Sequence, residues 1–500
     1  MADDTRRCAR WGGVGTASLL GCDIGTSTVK VLLWDESRGV EVAARSSPYA
    51  MDSPQPGWCE QQPRVWLAAL QEAMEALRAQ VGMPLSDVEA MGFAGQMHGV
   101  VLTDGVGSPL RPALLWADAR ATEEAAALAE ACGAAHLAAA TGSVPTANYV
   151  LPKLLWLSRH EPQVVSRARY VLQPKDWVRT VLGAPPLSEP TDGSGTGWMD
   201  VGRRAWHPDL CFGLPPRIRP PLVDSSAVVG HLGARFAQRL GLPAGLPLVA
   251  GAGDLPAAVL AAGSCDATRP LLNVGSAGQV AVVGSAGDPG PEGAQRFCHP
   301  LSGLGISVGA LLAAGLAVAW ARERLGGVAL PPADEVADLV FVPHLAGERL
   351  PSFDLGVRGA WVGLGLRTDA AAMAGAAAYG VAFAYRELLE RMLPERSGRP
   401  LVLAEGRHAD DWARRLANSF GEAVDLCGLV SPSAMGACQL AAVGVGLRDW
   451  GGFPPPPART VPFSSVASGR LGRLYGVYRT LRPALAAADH ALSAPAGGAV

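Results

Sequence analysis

The sequence predicts an α/β protein in which one architecture occurs twice, forming two domains around an interdomain cleft. Its 500 residues exceed what a single hydrophobic core usually holds, so we expect at least two domains. Segments with strand-like and helix-like periodicity are mixed along the chain, which is typical of α/β domains. A strand–loop–strand unit opens at residue 19 and recurs from about residue 268, which indicates a duplicated architecture.

The first half begins with a predicted β-hairpin. Apolar strands at 19–22 and 29–34 flank a loop of small residues, and residues 40–46 return as a third strand. A helix that starts at Pro63 carries apolar residues at three- and four-residue spacing, and a strand follows at 88–94.

The regular pattern weakens at 180–220, where proline is frequent. We expect a loop-rich insertion there, on the substrate side. A strand at 246–250 then leads through a glycine turn to Asp254, and a helix is predicted at 255–262.

The second half is predicted to open with strands at 270–274 and 279–283. The apolar run 306–320 is shorter than the ~20 residues of a membrane-spanning helix, so we interpret it as part of a buried core helix at 307–324. The remaining predicted elements are helices at 369–393, 409–419, 434–445 and 468–492 and a strand at 401–403. The resulting boundaries are an extension at 1–18, domains at 19–265 and 266–492, and a tail at 493–500.

Composition excludes several classes of protein. Hydrophobic residues make up 49% of the chain, which contradicts intrinsic disorder. The net charge of −3 and the lack of a long basic run argue against binding to nucleic acid or to an anionic membrane. Nine cysteines without CxxC spacing indicate reduced thiols, so we predict a cytoplasmic protein.

Two loops of small residues are candidates for binding phosphate groups. Gly25, Thr26 and Ser27 form the first, at the tip of the predicted hairpin, and Gly275 and Ser276 belong to the second. Glycine lets backbone N–H groups approach an anion, and hydroxyl groups add donors. Each loop alone is weak evidence, because ordinary hairpin tips use the same residues.

Asp254 is the candidate for the base of a phosphoryl transfer. It follows a strand and a glycine turn, and we expect the start of the next helix to keep its carboxylate ionised. The alternative is that it simply caps that helix. Asp23, in the first loop, could hold a magnesium ion through water or could form an Asx turn.

Further cleft candidates follow strands or lie in loops. His98 could donate a hydrogen bond to a substrate hydroxyl while Met97 packs on the carbon side, and Trp116 is another candidate for substrate contact. A structural role is the alternative for each of them.

Taken together, these segments resemble the FGGY carbohydrate kinases, and among them the kinases that act on D-xylulose. The resemblance runs in order from about residue 19 to 480. The blocks that carry it include 23–30, 95–99, 115–120, 152–156, 174–177, 191–196, 251–254 and 341–349.

The resemblance implies an actin-like ATPase fold of two ribonuclease-H-like domains, the first binding sugar and the second nucleotide. It also implies that MgATP and D-xylulose react to give ADP and D-xylulose 5-phosphate. Asp254 would then accept the hydroxyl proton and bind sugar, Asp23 would position the metal through water, and Met97 and His98 would contact the ketose. Gly25, Thr26, Ser27, Gly275, Ser276 and Gly406 would line the nucleotide and phosphate side.

The chain departs from the family pattern at three places. Leu255 stands where Asn or Gln usually follows the base, residues 404–407 read Ala-Glu-Gly-Arg in place of a glycine-rich turn, and Ser276-Ala277 replaces Thr-Ser. Another ketose or polyol, or a weakly active homologue with an altered adenine site, therefore stays open as an alternative. The resemblance also allows a homodimer.

Overall fold

The computed structural model describes residues 17–493 except 83, 267, 351–353, 396–400, 405, 407, 454–455 and 457. Each half of the chain contributes one seven-stranded mixed sheet with helices packed on it. Within the described ranges, no helix combines the length and apolar character required to cross a bilayer.

The elements of the first half are these, in chain order: β1 (Ser18–Ile24), β2 (Thr28–Asp35), β3 (Val40–Pro48), β4 (Glu60–Gln61), α1 (Arg64–Val81), β5 (Val88–Gly95), β6 (Val101–Thr103), β7 (Ala113–Leu114), α2 (Thr122–Cys132), α3 (Ala134–Thr141), α4 (Val150–His160), α5 (Pro162–Arg167), β8 (Tyr170–Leu172), α6 (Pro174–Leu182), α7 (Pro190–Ser194), β9 (Met199–Asp200), β10 (Ala205–Trp206), β11 (Val228–His231), α8 (Ala234–Leu240), β12 (Pro247–Val249), β13 (Ala252–Gly253) and α9 (Asp254–Ala261).

Those of the second half are β14 (Leu271–Val274), β15 (Gly278–Ser285), β16 (Gln295–Cys298), β17 (Leu304–Leu311), α10 (Gly315–Arg324), β18 (Val340–Val342), β19 (Ala360–Val362), α11 (Ala370–Met392), β20 (Leu401–Leu403), α12 (Ala409–Phe420), β21 (Val424–Cys427), α13 (Pro432–Gly444), β22 (Ala458–Val461) and α14 (Ser465–Ser493).

The two sheets repeat one order of strand directions. In the first, β3, β2 and β1 are antiparallel neighbours, β1, β5 and β12 are parallel, and β11 is antiparallel at the far side. In the second, β17, β15, β14, β20, β21 and β22 follow the same sequence of directions. The predicted duplicated α/β architecture is confirmed by this match.

The apolar run at 306–320 is not one helix, so that prediction was wrong. Its first part belongs to β17, which pairs with β15 on one side and β16 on the other, and α10 starts only at Gly315. Ile306 and Val308 of β17 are buried, with Ser307 between them, and glycines stand on either side of this pair at 305 and 309. The strand also packs against α11. A methyl group added at Gly309 would come within 2.5 Å of the Leu388 side chain.

Helix α13 comes late in the sequence but packs on the first sheet, where it contacts β1, β5 and α9. Small residues make this approach very close. A methyl group at Gly21, Gly92 or Gly436 would come within about 2 Å of a facing carbonyl oxygen, at 2.0, 2.0 and 2.1 Å respectively. Residues of both halves therefore share one hydrophobic cluster around α9 and α13.

Candidate active site

Three parallel strands of the first sheet end at one edge, and the candidate residues lie at those ends. Ile24 of β1, Gly95 of β5 and Gly253 of β13 are paired across the sheet. Asp23 on β1 therefore lies next to the end of β5, from which the chain continues to His98. The turn that carries Asp254 follows β13, on the far side of β5. Ligands of open α/β sheets bind at this kind of edge.

Asp254 is the first residue of α9 and is partly buried. Its Oδ1 accepts a hydrogen bond from the Leu255 N–H at 2.7 Å. Burial, and after it the nearby charge of Asp23, raises the pKa of Asp254 to about 7. Desolvation outweighs the backbone hydrogen bonds at the helix start, so these bonds alone do not keep the carboxylate fully ionised at pH 7. Nor does the side chain cap the helix, since Gly253 occupies the capping position.

Asp23 is buried at the end of β1, and burial raises its pKa to about 6 against the opposing charge of Lys30. Its Oδ1 has no hydrogen-bond partner among the described residues. A buried carboxylate oxygen without a donor, close to a second carboxylate, fits a magnesium ion that keeps most of its ligands as water and phosphate oxygens. No cluster of three or more His, Cys, Asp or Glu side chains that could hold a metal occurs in the described part of the chain.

The first loop is the tip of the β1–β2 hairpin, as predicted. Two side chains hydrogen-bond to the backbone carbonyls of this loop. The Tyr49 hydroxyl donates to the Gly25 oxygen at 2.5 Å, and Gln61 Nε2 donates to the Thr26 oxygen at 2.7 Å. Trp116 is half-exposed and donates from Nε1 to Thr26 Oγ1 at 2.8 Å, while Ser27 is exposed. The structure thus places Trp116 directly beside the phosphate-loop candidates.

The second loop and Gly406 lie at neighbouring strand ends of the second sheet. Gly275 and Ser276 follow β14, and Gly406 follows β20, which runs parallel to β14. All three residues are exposed. The Gly315 N–H donates to the Gly275 oxygen at 2.9 Å, which holds the loop against the start of α10. Glu405 and Arg407, the departures in the adenine-side turn, lie outside the described residues.

His98 has a left-handed backbone conformation with φ of 63°, which is uncommon for a residue with a side chain and frequent at functional sites. Its Nδ1 lies 2.5 Å from the Gly195 carbonyl oxygen. Burial lowers the pKa of His98 to about 4, so the ring is neutral at pH 7. Because a carbonyl only accepts, Nδ1 carries the proton and Nε2 is an acceptor. This contact favours an acceptor role for Nε2 over the predicted donor role of His98.

Met97 is buried and lies against Gly253, where an added methyl group would come within 2.7 Å of its Cγ. It belongs to a hydrophobic cluster that includes Val259 of α9 and strands of the second sheet. The Met97 side chain therefore packs between the end of β5 and the start of α9. Its Cε also lies close to Gly195, where an added methyl group would come within 3.2 Å of it.

Sequence reasoning gave no role to two groups that the structure brings to this site. One is α7, whose Thr191 hydroxyl accepts a hydrogen bond from the Gly253 N–H at 2.8 Å. The other is Arg349 of the second half, whose charge acts on both His98 and Tyr149. Both belong to blocks that carry the family resemblance, but spacing along the chain does not tell which distant segment a side chain reaches.

Comparisons with known proteins agree with this architecture. The model of the FGGY carbohydrate kinase N-terminal domain matches residues 18–261, and that of the C-terminal domain matches residues 275–445. The chain is similar to proteins named xylulose kinase from Klebsiella pneumoniae, at 34% identity over 85% of this chain and 90% of the relative, and from Escherichia coli, at 33% over 85% and 89%. It superposes with a TM-score of 0.85 on the crystal structure of a protein described as a xyloylose kinase from Brucella ovis, at 31% identity, covering 95% of this chain and all of the other. With an actin-like duplicated fold and matches to both family models, the chain belongs to the FGGY family of carbohydrate kinases.

Proposed function

We propose that the chain transfers the γ-phosphoryl group of ATP to the terminal hydroxyl of D-xylulose, giving ADP and D-xylulose 5-phosphate. The observation that carries the chemistry is the placement of Asp254 beside Asp23, with His98 at the neighbouring strand end. The proposed sugar is supported by the relatives at 33% and 34% identity, which are named xylulose kinase.

In the proposed reaction the hydroxyl oxygen bonds to the γ-phosphorus as the bond from phosphorus to the ADP oxygen breaks. The hydroxyl proton passes to a carboxylate oxygen of Asp254. A pKa of about 7 suits this role, because the carboxylate is ionised in a large fraction of molecules yet basic enough to take the proton.

Asp23 is the residue proposed to hold Mg²⁺, through water, with its unpartnered Oδ1. When bound there, the ion would supply positive charge to the phosphate oxygens. Gly25, Thr26 and Ser27 on one side and Gly275, Ser276 and Gly406 on the other are proposed to contact the nucleotide. The Thr26 hydroxyl accepts from Trp116, which leaves its own proton free to donate to a phosphate oxygen.

His98 is proposed to accept a hydrogen bond from a sugar hydroxyl at Nε2, since Nδ1 is used by Gly195. Met97 and Trp116 are proposed to contact the carbon side of the substrate. The cytoplasmic location and the homodimer stay predictions. No disulfide bond joins any of the eight cysteines that the structure describes.

Leu255 favours a second candidate, a kinase for another ketose or a polyol. It is partly buried and packs against the cluster that contains Met97, so an apolar surface lies next to the base. A substrate that presents carbon to Leu255 would lose no hydrogen bond at this position. A substrate that presents a hydroxyl to Leu255, as is proposed for D-xylulose, would have no hydrogen-bond partner for it on this side chain.

The test is an ADP-release assay of the purified protein with D-xylulose, D-ribulose, sedoheptulose and a series of sugar alcohols. We expect kcat/KM to be highest for D-xylulose, with a product phosphorylated on the terminal oxygen. A higher value for another compound would replace D-xylulose by that compound. No sugar-dependent ADP release from any of them would support a weakly active homologue.

A further inference from the structure

Helix α7 lies between the two groups proposed to act on the sugar. It is only five residues long, and every residue from Pro190 to Ser194 is buried. Its two ends reach different strand ends of the first sheet, one near Asp254 and one near His98.

The first end holds the turn that carries Asp254. The Thr191 hydroxyl accepts from the Gly253 N–H at 2.8 Å and donates to Glu189 Oε1 at 2.7 Å. Gly253 immediately precedes Asp254 and occupies the capping position of α9. Movement of the Thr191 hydroxyl would therefore move the backbone that aims the Asp254 carboxylate.

The other end holds the His98 ring. Gly195 follows the last residue of α7, and its carbonyl oxygen accepts from His98 Nδ1 at 2.5 Å. The Gly195 N–H donates to the Asp192 oxygen at 3.0 Å, which ties this carbonyl to the helix. The contact sets both the orientation of the ring and the nitrogen that carries its proton.

A buried carboxylate anchors the helix. Glu189 caps α7 and accepts from the Thr191 N–H at 2.8 Å, the Asp192 N–H at 3.0 Å and the Ser225 hydroxyl at 2.8 Å. The ammonium group of Lys175 lies 3.3 Å from Glu189 Oε1 and 3.0 Å from Asp192 Oδ2. All of these side chains are buried, so the anchor has few alternative arrangements.

We propose that Glu189 and Thr191 are positioning residues, and that α7 sets the placement of the Asp254 carboxylate relative to the His98 ring. This inference rests on the proposed function, since it assumes that both groups act on one sugar. Errors of about 1 Å in such a placement lower turnover by roughly 100-fold.

Thr191→Val tests the hydrogen bond from Gly253 to Thr191, which holds the turn before Asp254. Thr191→Ser keeps the hydroxyl and is the rescue variant. Thr196→Val is the matched control, because Thr196 is a buried threonine of the same segment whose hydroxyl donates to Gly193 and accepts from the Trp198 N–H. We expect Thr191→Val to lower kcat by about 10- to 100-fold with little change in the KM for sugar. Thr191→Ser restores kcat, and Thr196→Val leaves it unchanged.

Glu189→Gln weakens the anchor of α7 and so affects both its contact with Gly253 and its contact with His98. We therefore expect kcat to fall and the KM for sugar to rise together. Hydrogen exchange of the peptide that contains Gly253 gives a readout independent of activity. We expect faster exchange at Gly253 in Thr191→Val than in Thr196→Val, measured on the full-length protein.

Unchanged kcat in Thr191→Val, beside an active wild-type enzyme, would overturn the inference and leave the proposed function intact. Loss that Thr191→Ser does not restore, or that Thr196→Val reproduces, would overturn it as a general folding defect. A wild-type protein inactive on every sugar would refute the proposed function instead. The exchange rate at Gly253 would then decide alone whether Thr191 holds this turn.

Discussion

Two carboxylates lie at one strand edge, and burial raises the pKa of both Asp23 and Asp254, while the charge of Asp23 raises that of Asp254 as well. The pKa of Asp254 is about 7 and that of Asp23 about 6, so both change charge near neutral pH. Activity and stability should therefore both depend on pH through these two residues.

Asp254 must be unprotonated to accept the hydroxyl proton. We expect kcat/KM to rise with pH and to level off above about 7, since the pKa of Asp254 is about 7. Asp254→Asn should lower kcat by ~10²–10⁴-fold, while Asp338→Asn, at an exposed carboxylate, should not change it. Sugar-dependent ADP release measured from pH 5 to 9 checks this. A flat profile would contradict the assignment of Asp254 as base.

The same pKa predicts a gain in stability when the carboxylate is removed. A raised pKa means that the folded protein favours the protonated acid, so its contribution to stability is full below about pH 4 and is lost as pH rises through about 7. We expect Asp254→Asn to be more stable than the wild type at pH 8, by up to about 4 kcal/mol, with the difference vanishing near pH 4. Thermal unfolding at both pH values measures it, and a lower midpoint for the variant at pH 8 would refute it.

Leu255→Asn restores a polar group next to the base. If the preferred sugar carries a hydroxyl at this place, we expect its KM to fall about 3- to 10-fold. Leu316→Asn, at an exposed leucine, serves as control. An unchanged or higher KM would favour a substrate that presents carbon to residue 255.

At this scale the sequence predicted which residues meet but not their chemical state. Asp23, Met97, His98 and Asp254 do lie on neighbouring strand ends of one sheet. The proposed role of His98 as an acceptor depends on the carbonyl of Gly195, 97 residues away, and the pKa of Asp254 depends on burial. Neither can be read from local spacing.

At the scale of elements, the close contact between α13 and the first sheet gives a sharp prediction. A methyl group at Gly92 would lie 2.0 Å from the Ala437 carbonyl oxygen, and backbone atoms cannot turn away as a flexible side chain can. We expect Gly92→Ala to lower the free energy of unfolding by about 3 kcal/mol. Gly105→Ala, where an added methyl group meets nothing within 4 Å, should be nearly neutral. Denaturant titration of both variants decides, and equal stabilities would contradict this packing.

Most element types were predictable, because apolar periodicity is strong in strands and in helices such as α1 and α12. The exception is β17, where isoleucine and valine alternate with serine, glycine and alanine within an apolar run that also includes α10. Such a run carries no clear period, and only pairing with β15 and β16 decides that it is a strand.

At the scale of the whole molecule, the repeat was visible in the sequence. The packing of α13, a helix of the second half, on the sheet of the first half was not. The hairpin at residue 19 and its repeat near 268 correspond to β1–β2 and β14–β15, the equivalent positions of the two sheets. Helix α13 is rich in alanine and glycine, which indicates close packing but does not name its partner. Its position on the first sheet depends on contacts between distant segments.

Because α13 covers one face of the first sheet, we predict that the first half of the chain is not stable alone. A fragment of residues 1–265 lacks α13 and exposes the apolar faces of Leu19, Ala90 and Val249, which α13 covers in the full chain. We expect this fragment to show no cooperative unfolding transition by circular dichroism. Adding a fragment of residues 266–500 should restore the transition, and a fragment that folds by itself would contradict the prediction.

The position of α13 also affects the order of events during biosynthesis. Some 170 residues separate the end of α9 from the start of α13. At translation rates of ~5–20 residues per second, the nascent chain leaves one face of its first sheet bare for roughly 10 to 30 s. During that interval the ribosome-bound polypeptide is a natural client for chaperones that shield apolar surfaces, and slower translation would prolong its exposure to aggregation.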